Sequence, residues 1–129
     1  MSDIARRGHV WAAWLFAAGV LVQGYLAGAA LAQLGGSGDF GTHLNVGYTL
    51  GIVALAVLVL AAVGRFPRSQ VGWSGLLLIL YVVQTSLPYL RADMPGIAAI
   101  HPANAMVLLV LAVVIAVRGR RLMGATSAL

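Results

Sequence analysis

The chain has no cysteine, no lysine and no glutamate. Without cysteine there can be no disulfide, iron–sulfur cluster, thiolate zinc site or cysteine-linked c-type haem. The acids are reduced to Asp3, Asp39 and Asp93, which leaves no paired carboxylates for hydrolysis and no Ser-His-Asp spacing. Charge of either sign is scarce: 9% of the 129 residues, against about 25% in a globular domain. With 61% hydrophobic residues, the composition excludes a soluble domain and points to an integral membrane protein.

What fills the chain is four apolar runs. Residues 10–34, 44–63 and 71–90 contain no charged residue, and residues 102–117 form a shorter, equally clean run. A hydrocarbon core about 30 Å thick needs about 20 helical residues, so each of the first three can cross. The fourth reaches that length with His101 and the snorkelling stems of Arg118, Arg120 and Arg121. Runs of this length without polar alternation require helices and exclude a barrel. The expectation is one domain, residues 1–129, all-α, with helices at about 10–34, 44–63, 71–90 and 101–118. Short connections make it an antiparallel up-down four-helix bundle.

The net charge of +5 is a topology signal. Arg6, Arg7, Arg65, Arg68, Arg118, Arg120 and Arg121 fall in the three segments that four crossings put on one side, and only Arg91 lies opposite. The positive-inside rule then places both termini in the cytoplasm, and nucleic acid is not an expected partner. Trp11, Trp14 and Trp73 fall near the inner ends and Tyr89 near an outer end, as interfacial aromatics do. "ALAQ" at residues 30–33 looks like a signal-peptidase site, but the apolar run before it exceeds the roughly 7–15 residues of a signal core, so the first helix reads as retained.

A weak internal repeat organises the polar residues. Each outward helix carries one glutamine, Gln23 or Gln84. Each is followed by a loop with an aspartate and by a histidine, His43 or His101, at the start of the returning helix. Asn45 follows at plus two and Asn104 at plus three. A two-helix unit repeated in one orientation implies a pseudo-twofold axis along the membrane normal, with His43 and His101 as mates on the outer side.

In a four-helix ring the second and fourth helices are diagonal, roughly 12–14 Å apart if neighbours pack at 8–10 Å. Two imidazoles reaching inward to one iron need a similar span, which makes His43 and His101 candidate axial ligands of a b-type haem. Gly47 and Gly51 lie one and two turns below His43, and Ala105 one turn below His101, leaving small faces for a porphyrin edge. Gln23, Gln84, Asn45 and Asn104 are candidates to fix the imidazole tautomers, and Arg91 to pair with propionates. Plainer readings accompany each residue. A histidine at a helix mouth is commonly interfacial, Gly24 and Gly28 form a helix-packing motif, the glutamines bond across helices, and Arg91 anchors at the interface. Zinc would have to recruit Asp39 and Asp93. His9, beside Arg6 and Arg7, reads as a solvated interfacial residue, so a second haem at the inner end is not expected.

"FGTHLNVGYTLG" and "IAAIHPANA" on paired hairpins resemble a family of small bacterial four-helix membrane proteins of unknown function, over nearly the whole chain. In plan the arrangement is also similar to one half of haem A synthase and, more loosely, to transmembrane b-type cytochromes. That resemblance maps ligand roles onto His43 and His101 alone. It implies a multi-pass protein of a bacterial cytoplasmic membrane that handles haem or electrons, with a redox partner protein or quinone. The chain departs from haem A synthase in having one bundle, two core histidines and no glutamate, so a stand-alone enzyme is not implied. The competing readings are a cofactor-free accessory subunit of a larger membrane complex, a homo-oligomer among them, and a small-ligand or metal-binding module.

Overall fold

The computed structural model describes residues 2–34 and 38–126. Among them are four long helices and no strand: α1 Ser2–Leu31, α2 Gly41–Val63, α3 Arg68–Ser86 and, after a short α4 at Pro95–Ala98, α5 His101–Thr126. All four long elements are apolar and long enough to cross a membrane. They form a four-helix bundle in which α1 packs on α2 and α5, and α3 packs on α2 and α5. The diagonals are therefore α1/α3 and α2/α5.

The helices outrun the apolar runs at the arginine-rich ends. α1 starts at Ser2 and α5 runs to Thr126, because backbone hydrogen bonding continues whether the side chains meet lipid or water. At their C-termini α1 and α2 stop in the same way. Gln33 (φ 55°) and Arg65 (φ 53°) take the left-handed conformation. The next amide bonds back to the last turn, Leu34 N to Ala29 O and Phe66 N to Ala61 O, which satisfies carbonyls that would otherwise be stranded. Pro67 then precedes α3, and its carbonyl takes the Gln70 amide.

The segment 91–100, expected as an outer loop, is partly helical. Pro88 lacks an N–H, and α3 tightens there into a 3-10 turn, Leu87–Arg91, before α4. The other outer connection, residues 35–42, lies in part outside the described residues.

Packing follows heptad stripes with small residues inside. Along α5 the buried positions are Asn104, Leu108, Leu111, Ala112, Ile115, Ala116 and Gly119, spaced by three and four. Ala13, Ala17, Ala54 and Ala112 meet Phe16, Val57, Leu77 and Ile115 at the centre. Large apolar side chains such as Leu15, Leu21, Ile52, Ile79 and Val110 point outward. In lipid, outward leucines cost nothing, and helix association rests on close packing of small residues and on cross-helix hydrogen bonds. Gly24 and Gly28 pack on nothing within the described chain.

Candidate functional site

Polar groups occupy both ends of these stripes. Near the α2 start, His43 projects from the first turn of α2 and His101 from the first residue of α5, on diagonal helices. Their rings lie with centroids 6.3 Å apart and planes at 62°. Phe40 stands edge-on to His43 at 6.0 Å. Both imidazoles are half-buried.

Each ring is held by the same kind of bond. His43 Nδ1 lies 3.2 Å from the Gln23 carbonyl and His101 Nδ1 lies 3.0 Å from the Gln84 carbonyl. A carbonyl can only accept, so Nδ1 carries the proton in both rings and the Nε2 lone pair is left for another partner. For His101 that partner is the Gln84 amide, whose Nε2 donates at 3.1 Å. Gln84 Oε1 in turn accepts from Asn104 Nδ2 at 2.8 Å, and the same nitrogen reaches the Leu80 carbonyl at 3.0 Å. Gln84, His101 and Asn104 thus form a closed network.

Around His43 the network is open. The Gln23 amide is shielded, yet neither its nitrogen nor its oxygen has a hydrogen-bond partner among the described residues. It lies against Gly47, whose missing Cβ would stand 3.4 Å from Gln23 Nε2. Asn45, expected beside the histidines, is exposed; it meets the solvent or lipid side, and its carbonyl takes the Thr49 hydroxyl. Plus two on a helix is a different face from plus three, where Asn104 sits. The space at Gly51 is taken by the Tyr81 hydroxyl, 2.7 Å from where a Cβ would be, which donates to the Gly47 carbonyl at 3.0 Å. Ala105 is half-buried one turn below His101 and Arg91 is exposed at the end of the 3-10 turn. Tyr48 and Tyr89 join hydroxyls 2.5 Å apart at the surface.

At the arginine-rich end the structure corrects one expectation. His9 is not solvated but fully buried. Its Nδ1 donates to the Val57 carbonyl at 2.9 Å, and its Nε2 accepts from Gln70 Nε2 at 3.0 Å. The Gln70 amide also donates to the Ile115 carbonyl at 2.8 Å, so this pair ties all four long helices together. Phe66 from the short α2–α3 connection covers the imidazole at 4.8 Å, and Arg6 lies over the other ring at 5.3 Å while donating to the Gly64 carbonyl. His9 sits on the α1 stripe with Ala5, Ala13 and Phe16, one turn inside Arg6, so its ring turns inward.

Gln70 and Ser74 were not singled out by sequence reasoning. The signal was present: Gln70 and Gln84 stand fourteen residues apart on α3, as His9 and Gln23 do on α1, close to four helical turns and hence on one face.

Among the described residues no group of three or more histidines and acids is placed to hold a metal ion, and Asp39 caps the Gly41 amide instead. A two-imidazole site is what the arrangement offers. No curated protein and no solved structure matches the chain. Residues 23–89, 67 of the 129, match the family of unknown function DUF6220, a stretch that includes His43, Gln70 and Gln84 but ends before His101. The chain belongs to that family, DUF6220.

Proposed function

We propose that the protein is a haem-binding membrane protein that holds one b-type haem between His43 and His101 and serves electron transfer or haem handling at that end of the bundle. The observation that carries this reading is the facing pair of imidazoles, 6.3 Å between centroids, each with its Nδ1 proton already committed to a backbone carbonyl. Two imidazoles bound to one iron through Nε2 have centroids roughly 6 Å apart, and the fixed Nδ1–H raises the basicity of the ligating nitrogen.

The residues present fit the group in a further respect. The Gln23 amide is a shielded polar group without a partner, and such a group is costly unless something in the site serves it. His43 and His101 are the ligands in this reading, Gln23 and Gln84 orient them, and Arg91 is available to carboxylates at the surface. The haem, when bound, would supply reversible one-electron chemistry. Gln84 releases His101 Nε2 for ligation and keeps Asn104 as its partner. Phe40, edge-on to His43, covers one side of that ring.

The topology belongs to the same reading. The pairing of Gly8 with Leu60, Gly19 with Leu50 and Gln23 with Gly47 supports antiparallel α1 and α2. His9 and Gln70 are 61 residues apart, and Gln23 and Gln84 have the same offset, which supports two repeated hairpins about a pseudo-twofold axis. With the arginines inside, both termini are cytoplasmic in a bacterial inner membrane and the histidine pair is outside. The redox partner is then a protein or quinone at the outer surface.

A second reading has its own support. The closed Gln84–His101–Asn104 network and the filled glycine notches are what a cofactor-free accessory subunit would show. Absorption spectra of the purified protein, before and after addition of hemin, oxidised and dithionite-reduced, separate the two. Haem binding gives a Soret band with sharp α and β bands that disappear in His43→Ala and His101→Ala. A colourless, iron-free preparation that stays so with hemin rules out the haem and leaves the accessory subunit.

A further inference from the structure

α3 and α5 do not close against each other on the outside of the bundle. Trp73, Leu76 and Leu80 on one side and Met106, Val110 and Val114 on the other line an open groove of about 460 Å³ with no polar lining atom. From Met106 to Val114 the groove runs about 12 Å along the helix axis, and to Arg118 about 18 Å, close to the roughly 15 Å of one leaflet's hydrocarbon. It ends at charge. Arg118 is one turn beyond Val114 on the same face, and Arg121 follows at plus three. The Arg118 Nε has no acceptor among the described residues, and Arg121 is exposed. Trp73 marks the interface on the facing helix, half-exposed as belt tryptophans are. The segments at this end, residues 2–9, 64–70 and 118–124, carry seven arginines and one acid, Asp3.

We infer that this groove is a binding site for an anionic phospholipid, with an acyl chain along α3 and α5 and the phosphate at Arg118 and Arg121. An apolar channel with two arginines beyond its end on the same helix face matches such a lipid in both length and charge. A second copy of the chain would bring its own arginines to the same level, like charge against like charge. The site is independent of the histidine pair at the other end.

The test is native mass spectrometry of the full chain released from detergent, with phosphatidylglycerol and phosphatidylcholine of identical acyl chains. Wild type retains phosphatidylglycerol in preference. Arg118→Gln and Arg121→Gln each weaken that retention about five-fold, the equivalent of about 1 kcal/mol per arginine. Arg118→Lys keeps most of it, and Arg7→Gln, on α1, leaves it unchanged. Val110→Trp, which fills the groove, removes retention of both lipids. Equal retention of the two lipids by wild type overturns the inference. So does a loss in Arg7→Gln as large as in Arg118→Gln, which would mean that any arginine at this end serves. A wild-type dimer that excludes added lipid overturns it as well, since the groove would then be a protein interface.

Discussion

At the arginine-rich end, His9 has no exposed surface, both ring nitrogens are bonded, and Phe66 lies across it. At the opposite end, His43 and His101 are half-buried, and His43 Nε2 has no bond among the described residues while the Gln23 amide beside it is orphaned. The two ends use the same parts: an imidazole whose Nδ1 donates to a carbonyl of a neighbouring helix, and glutamines fourteen residues apart. They differ in pairing. One histidine meeting one glutamine satisfies both ring nitrogens and leaves a fastener, although Gln70 Oε1 has no partner among the described residues. Of the two histidines that face each other across the diagonal, His101 has its Nε2 lone pair met by the Gln84 amide, while His43 has only its Nδ1 bond to the Gln23 carbonyl. That difference is why the closed end is described as structure and the open end is proposed as a site.

The sharpest way to break the comparison is to remove one imidazole from each end. His9→Leu removes two buried hydrogen bonds, to the Val57 carbonyl and from the Gln70 amide, and leaves one Gln70 N–H without an acceptor where water does not reach, together about 2–4 kcal/mol. Thermal unfolding in detergent is expected to fall by roughly 10 °C. His43→Leu, at a half-buried position with one long bond, costs less than about 1 kcal/mol and moves the midpoint little. Equal shifts from the two variants would mean that the ends are not different in kind.

Gln84→Leu probes the open end from inside. The amide that caps His101 Nε2 is lost, so a hemin titration followed at the Soret band is expected to tighten about five-fold, the worth of one net hydrogen bond. Weaker binding in this variant would show that Gln84 holds the ring in place for the ligand instead of competing with it. The smallest effect belongs to Tyr48→Phe. It removes an exposed hydroxyl contact with Tyr89 and should cost no more than about 0.5 kcal/mol, with hemin affinity unchanged. A larger loss would make the tyrosine pair part of the site.

How much of this was legible beforehand differs from residue to residue. The helix count and the membrane class follow from four uncharged runs, because lipid tolerates neither unpaired backbone nor scattered charge. His43 and His101 could be paired from their matching places after a glutamine-bearing helix. Asn104 was identified beside His101, but Asn45 was given the same role although one residue of spacing puts it on another face. His9 was misread because proximity to Arg6 and Arg7 suggested water, whereas a helix turns its third residue from an arginine toward the core as readily as toward solvent. The 3-10 turn after α3 was signalled by Pro88 and passed over.

The sequence by itself determined that the chain is helical and membrane-embedded, that its arginines gather toward one end, and which residue types were available for chemistry. Hydrophobic length and charge are properties of segments and need no neighbours to be read. Only the tertiary structure decided which imidazole is fastened and which two face each other, that Tyr81 and Gln23 fill the notches at Gly51 and Gly47, and that α3 and α5 leave a groove between them. Those outcomes depend on helix rotation and on partners sixty residues away along the chain, which no single segment can specify.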